Sequence, residues 1–394
     1  MIAGRLRRVG ALLAFIVLAG CAVAPDKPRE RAPEPAPPAA PVPEPSPAPE
    51  PPPKPPVYLT VAAVGDMMLG TDYPENHLPD DDGVSFLAEV APVLAGADVT
   101  FGNLEGVLLD GGTPAKECRN PRACYLFRSP SRYVEHFVNA GFDVLSLANN
   151  HARDFGEEGR TATMETLDAA GILHSGREGD FATLEVKGLS VAVLAFAVTR
   201  NSNMMLDYDL AAATVAEHAA RHDIVIVSFH GGAEGPDRMR LPFAEEEYFN
   251  EPRGDVVYFA RRMVDAGADL VLGHGPHVVR AMERYKDRLI AYSLGNFATY
   301  YGISVEGLAG IAPILVVTLD SEGRFVDGVI HSTEQIRPAG PSFDPSGQAL
   351  AWIRDLSRED FVTPGIRFER DGRILPEERP AFVEHGPPSS PADH

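Results

Sequence analysis

Five short stretches, each at the end of an apolar run, gather the side chains that hold metal ions and move protons. They carry Asp66; Asn103 with Glu105; Asn150 with His151 and Asp154; His230 with Glu234; and His274 with His277. Cysteine is missing from all five, so the set suits Zn, Mn, Fe or Mg rather than a soft ion. Asp66, Glu105, Asn150, His230, His274 and His277 suffice for one complete divalent site, and for two ions if a carboxylate is shared. A cation there would polarise an acyl or phosphoryl oxygen and make water more acidic. His151 suits proton transfer, and Asp154, three residues on, suits orienting it through its second nitrogen. On an extended backbone Asn150 and His151 point to opposite sides, one to ligate and one to act as acid or base. The plainer alternatives are turn asparagines, histidines satisfied in a core, a loop carboxylate at Glu105 and a rim charge at Glu234. Asn103, Glu234 and Asn296 are expected to support the rim. Arg128, Arg132 and Arg200 are candidates to meet an anionic substrate, with solvated surface arginine as the plainer alternative.

The apolar runs that must position these groups read as buried strands ending in polar residues. The first, over 57–64, is β-rich and apolar on both faces and ends in Gly65-Asp66. Short strands are expected before Asn103, over 142–147 before the Asn149-Asn150-His151 run, over 224–229 before His230 and over 270–272 before His274. Helices are expected over 84–94, over 130–140 with Ser129 as N-cap, and over 157–170, 211–221, 256–266 and 347–357. Later strands pair as hairpins about Lys187-Gly188, Lys286-Asp287 and Glu322-Gly323. Early strands alternate with helices and later ones pair with each other. That mixture indicates an α/β fold with a mixed sheet or two stacked sheets flanked by helices. One folded domain is expected over 57–335. It is followed by a C-terminal extension, 336–394, with one helix and a disordered tail.

Several ordered motifs resemble the CapA family of poly-γ-glutamate capsule biosynthesis, which is similar to the calcineurin-like metallophosphoesterases. They are Gly65-Asp66-Met67-Met68-Leu69-Gly70, Asn103-Leu104-Glu105, Asn149-Asn150-His151, His230-Gly231-Gly232-Ala233-Glu234, Gly273-His274-Gly275-Pro276-His277 and Ser293-Leu294-Gly295-Asn296-Phe297. The resemblance covers about residues 58–334. It implies a stacked two-sheet α/β/β/α sandwich with the site at the strand ends. It also implies Asp66 as the first metal ligand, Glu105 near the bridging carboxylate, Asn150 as amide ligand, His151 as proton donor, and His230, His274 and His277 as histidine ligands. Three departures stand out. Met68 occupies the place of a histidine ligand, the Asn103–Glu105 pair replaces a bridging Asp, and the closing motif has an extra residue between its histidines. They imply one tight and one weak metal site. The implied role is work on a phosphoester or amide of an anionic envelope polymer or its precursors. The rival expectation is a non-enzymatic, metal-stiffened factor that binds or guides such a polymer.

The N-terminus reads as an address. Arg5, Arg7 and Arg8 precede an apolar run too short to span a membrane, ending Leu18-Ala19-Gly20-Cys21. This resembles a bacterial lipobox, which implies removal of residues 1–20, acylation of Cys21 and a lipid anchor. The Ala22 that follows favours the outer membrane, facing the periplasm. Residues 21–56 are rich in proline and read as an extended polyproline stalk. Cys118 and Cys124 form an even pair, readily a disulfide outside the cytoplasm, with a lone zinc pair as the rival. The formal net charge of −21 argues against nucleic acid as a partner and against electrostatic docking on anionic lipid.

Overall fold

The computed structural model describes residues 56–116 and 125–377. Cys21, the lipobox, most of the stalk, Cys118, Cys124 and the C-terminal tail lie outside the described residues. Among the described residues no helix is long and apolar enough to cross a membrane.

Two sheets carry the chain. In the first, the strand Tyr58–Met68 is central: it pairs in parallel with Val99–Leu104, which pairs in parallel with Val144–Ser146 and then Leu173–Ser175. On its other side it pairs antiparallel with Ile311–Asp320 and, near its end, in parallel with Asn296–Thr299. The second sheet is built on four parallel neighbours, Leu189–Ala197, Ile224–His230, Leu270–His274 and Arg288–Ala291, with antiparallel strands at both edges. The three expected hairpins are all formed.

The main core lies between the sheets, where Leu59, Val61, Ala63 and Phe101 meet Val193, Ile226, Phe229 and Leu272. A helix layer covers each outer face. Phe137 and Leu167, from the helices Val134–Ala140 and Gly156–Ala170, pack on Val64, Met67 and Leu145 of the first sheet. On the second sheet lies the helix Val256–Ala266. It buries Val256, Phe259, Ala260, Met263 and Val264, a 3–4 spacing that puts one apolar stripe on the core. Asp255 caps it by accepting from the Val257 and Tyr258 N–H groups, and left-handed Gly267 stops it. The architecture is the stacked α/β/β/α sandwich expected.

Three local expectations need correction. Residues 84–94 yield turns and only a short helix, Ala91–Leu94; no side chain caps that helix, and Pro92 supplies no N–H to extend helical hydrogen bonding through the run. Ser129 does not cap the next helix; its hydroxyl donates to the Gly70 carbonyl, and a 3-10 turn over Ser131–Tyr133 leads into Val134–Ala140. The segment after residue 335 is more than a helical appendage. Beside the helix Gln348–Asp360, the strands Pro341–Phe343 and Arg373–Pro376 both pair with Phe325–Gln335, and Ile366–Phe368 follows, covering an edge otherwise open.

One irregularity in the central strand aims the site. Strict alternation would put Asp66 on the face of Val64, toward the helix layer. The register with Val99–Leu104 shifts between Ala63 and Asp66, which turns Asp66 toward the second sheet and returns Met67 to the side of Val64. Gly65 is where the backbone comes closest to the 293–296 turn: a Cβ there would sit 1.9 Å from the Gly295 carbonyl oxygen.

Candidate metal centre

Two rows of register partners face each other at the carboxyl ends of the parallel strands. In the second sheet His230 and His274 are direct partners, both fully buried. In the first, Asp66 is the partner of Asn103 on one side and Asn296 on the other. The bulge brings Asp66 Oδ1 to 3.4 Å from His274 Nδ1. Glu105 Oε1 lies 3.3 Å from His230 Nδ1. The Asn103 amide holds the two carboxylates together, donating to Asp66 Oδ1 at 2.8 Å and to Glu105 Oε1 at 3.3 Å.

His277 completes the cluster. Its Nδ1 is 3.1 Å from Asp66 Oδ2, and Asp66, Glu105 and His277 can each offer a ligand atom within 4.8 Å of the others. The extra residue in the closing motif is absorbed by a turn. Gly275 has φ 109° and His277 itself is left-handed at φ 59°, a conformation that disfavours ordinary side chains. Asn296 stabilises that turn: its amide donates to the His277 carbonyl at 3.1 Å and its Oδ1 accepts from His277 Nδ1 at 2.8 Å.

The strand before Asn150 stops at Ser146, so Asn150 and His151 are not on extended backbone and do not face opposite ways. Both line one pocket of about 240 Å³, together with Glu234 and His277. The turn is set by Asn149, whose Oδ1 accepts from the His151 N–H and whose amide donates to the Leu104 carbonyl and Asn103 Oδ1. His151 Nδ1 lies 2.8 Å from Oδ2 of fully buried Asp154, the pairing expected from their spacing. Glu234 sits at the rim between Arg253, 3.0 Å away, and His277 Nε2, 3.9 Å away. Arg128 and Arg132 are paired with Asp72 and Asp82, and Arg200 is exposed.

The electrostatics favour positive charge at the centre. Burial raises the Glu105 carboxyl, and the neighbouring Asp66 charge adds to it, up to about 8. Burial works against the Asp66 carboxylate too, but His274 and His277 outweigh it and hold it well below the usual range. His277 is pushed up to about 10, against its burial, by Glu105, Asp66 and Glu234. Burial keeps His230 well below its ordinary value.

The donor set fits a divalent cation. Among the described residues, Asp66 Oδ2, Glu105 Oε2, Asn150 Oδ1, His230 Nε2 and both ring nitrogens of His274 are buried without a well-formed hydrogen bond, Asp66 Oδ2 having only its 3.1 Å charge contact to His277. Each such atom costs about 1–3 kcal/mol if it stays unsatisfied, so their concentration in one place needs a shared partner. Met68 contributes nothing to the set: its sulfur accepts from the Gly70 N–H at 3.3 Å. A larger, open groove lined by Asp110, Glu135 and Glu165 holds no histidine.

Three residues at the site have no role in the sequence reading. Asn149 was available there, as part of the Asn149-Asn150-His151 run. Lys116 and Arg253 carried no signal, since only folding brings them to Asp154 and Glu234.

Residues 60–301 match the family model described as "Bacterial capsule synthesis protein PGA_cap". The chain is 30% identical to the capsule biosynthesis protein CapA of Bacillus anthracis over 264 residues, 61% of this chain and 59% of that protein. It is 30% identical to the PGA biosynthesis protein CapA of Bacillus subtilis (strain 168) over 256 residues, 61% of this chain and 63% of that protein. The chain thus spans about three-fifths of the length of these curated relatives. Among solved structures, a 5'-nucleotidase precursor from Thermus thermophilus overlays at TM-score 0.41 and 15% identity, covering 77% of this chain and 59% of that one. A purple acid phosphatase from yellow lupin seeds overlays at TM-score 0.36 and 9% identity, covering 73% and 54%.

Proposed function

Because the chain belongs to the PGA_cap family of bacterial capsule synthesis proteins, we propose that it is a metal-dependent hydrolase or transferase of the cell envelope, acting on a phosphoester or amide of an anionic envelope polymer or its precursors. The observation that carries this reading is the meeting of Asp66, Glu105, His230, His274 and His277, from two different sheets, in one buried and unsatisfied cluster beside an open pocket.

Asp66, Glu105, His230, His274, His277 and the Asn150 amide would hold the ion or ions. A divalent cation held there supplies Lewis acidity toward an acyl or phosphoryl oxygen and toward water. The chain's own residues do the rest. Asn103 keeps the two carboxylates together, and Asn296 holds His277 in its turn. Asp154 fixes the His151 ring through Nδ1, leaving Nε2 as the nitrogen for proton exchange with the attacking or leaving group. Burial pulls His151 below its ordinary value, only partly offset by Asp154, so the neutral ring is favoured near neutral pH. Substrate would enter between His151, His277, Glu234 and the aromatic walls Tyr125 and Tyr248.

Metal content of the purified protein tests the centre: at least one divalent ion is expected in wild type and a loss on His277→Ala. Turnover on a panel of phosphoesters and γ-glutamyl amides tests the enzyme. His151→Ala is expected to abolish it with metal content and melting temperature retained. Equal inertness of wild type and His151→Ala would sink the enzymatic reading. One observation favours the rival, non-enzymatic reading. Met68 turns its sulfur to backbone, which leaves a poorer donor set suited to a stiffened binding module. With a net charge of −21, such a module would need bridging cations to hold a polyanion. Polymer binding that persists after complete chelation would remove that version.

We place the protein on a lipid anchor at Cys21, at the outer membrane facing the periplasm, on the strength of the Leu18-Ala19-Gly20-Cys21 motif. A mass spectrum of the membrane-extracted protein is expected to show an acylated Cys21 as first residue. Met1 still attached to an unmodified Cys21 would exclude the anchor.

A further inference from the structure

Asp154 is a fully buried carboxylate whose two oxygens face different partners. Oδ2 accepts from the Phe127 N–H at 2.8 Å and lies 2.8 Å from His151 Nδ1. Among the described residues Oδ1 faces one cation, the Lys116 ammonium, at 3.1 Å. Lys116 is held there by its own backbone: the Ala115 and Lys116 N–H groups both donate to the Asp154 carbonyl, at 2.9 and 3.2 Å. The same ammonium reaches the Asn150 carbonyl at 3.5 Å and stands 3.4 Å from His151 Nδ1.

Lysine can only donate, so Lys116 and Asp154 make opposite demands on His151 Nδ1. If Nδ1 carries the proton, it donates to Asp154 and cannot accept from Lys116. If Nδ1 is bare, Lys116 can donate to it, the Asp154 contact is lost and Nε2 carries the proton. The distances decide between them. At 2.8 Å the Asp154 contact is a short charge-assisted hydrogen bond, and at 3.4 Å the Lys116 contact is beyond a good one. The shorter ammonium contact is the one to Asp154 Oδ1, an ion pair by distance rather than a directed hydrogen bond.

We propose that Lys116 is a positioning residue for the His151–Asp154 pair: by occupying Asp154 Oδ1 it keeps Oδ2 on His151 Nδ1, and so fixes the tautomer that turns a bare Nε2 toward the pocket. It acts through Asp154 and touches no reacting atom. Its kinetic consequence rests on the acid–base reading of His151; its structural consequence does not.

The test uses the full chain, metal-loaded and labelled with 15N at histidine. In wild type the His151 resonances are expected to show a protonated, slowly exchanging Nδ1 and a bare Nε2. In Lys116→Met and Lys116→Gln the Nδ1 proton is expected to exchange faster, with a growing share of the other tautomer. Lys116→Arg, which can still reach Oδ1, is expected to restore the wild-type pattern. On whichever panel substrate wild type turns over, Lys116→Met should lower kcat roughly tenfold, the lower end of what such outer partners cost. KM and metal content should hold, and Arg should rescue. An unchanged Nδ1 signal in both neutral variants overturns the proposal, because Phe127 and His151 would then suffice to orient Asp154. A wild-type ring protonated at Nε2 overturns it as well, making Lys116 the competitor of Asp154. If wild type turns over nothing, the enzymatic reading fails and the tautomer measurement still decides this one.

Discussion

His277 sits in a left-handed backbone conformation, φ 59°, and Asn296 grips it at both ends, its amide on the His277 carbonyl at 3.1 Å and its Oδ1 on the ring Nδ1 at 2.8 Å. The same amide also donates to the Ser304 and Ala309 carbonyls, so Asn296 ties the histidine to two neighbouring loops. Strain of this kind persists only where the surroundings over-determine it. Asn296→Ala is therefore expected to weaken divalent-ion binding by about 10- to 100-fold, the range for losing a partner that orients a ligand. Titration with Mn or Zn and equilibrium dialysis reads it. Unchanged affinity would show that His277 holds its turn unaided.

Filling the centre is expected to stabilise the fold. A cation that binds only the folded chain adds about 2.7 kcal/mol at a hundred times its dissociation constant. The melting temperature should rise with added divalent ion and fall with chelator. It should do neither in Asp66→Asn combined with His277→Ala.

Gly65 has no room for a side chain, since its Cβ would lie 1.9 Å from the Gly295 oxygen and 2.8 Å from the Leu294 oxygen, both backbone. Gly65→Ala must push the central strand off the 293–296 turn. A loss of about 1–3 kcal/mol or more is expected from the overpacking. A drop in metal affinity should accompany it, because Asp66 is the next residue. Chemical denaturation and metal titration on the same sample separate the two.

Behind the rim, Arg280 is fully buried and bidentate to Glu246, at 2.8 Å on each arm, and also donates to the Ala233 carbonyl. Glu246→Gln leaves that guanidinium without its countercharge. Breaking a buried pair from one side costs about 3–5 kcal/mol. Unfolding in urea should show it. A much smaller loss would mean that the Ala233 and Arg238 carbonyls, both of which accept from its guanidinium, alone satisfy Arg280.

His174 offers a pH test away from the metal centre. Burial opposes its charge, but Asp180 at 3.0 Å and Asp168 at 3.3 Å outweigh it and raise it above its ordinary value. A group raised on folding stabilises fully below its unfolded value, near about 6.5 for histidine, and loses that contribution as pH rises through the folded value. Wild type should lose stability relative to His174→Gln as pH rises from about 6 toward 8. Parallel curves would show that the two aspartates leave His174 unshifted.

The residue pattern by itself determined an α/β fold with a mixed sheet or two stacked sheets, and the family resemblance of its motifs singled out the sandwich. Apolar runs ending in Asp, Asn and His read as buried strands that deliver a polar residue at their ends, and early strands alternating with helices gave the α/β class. It also determined the His151–Asp154 pair, because three residues is one short turn. What it left open depends on through-space meetings. The register shift before Asp66 turns that carboxylate to the second sheet, which alternation alone would forbid. The extra residue before His277 is harmless only because Gly275 and a left-handed His277 swing the ring back to Asp66. Lys116 and Arg253 belong to segments with no motif of their own, and their charges find Asp154 and Glu234 only once loops distant in sequence fold against each other. Local spacing encodes which face a side chain takes within one element. Distances between elements are set by packing, so those contacts were decided by the tertiary structure alone.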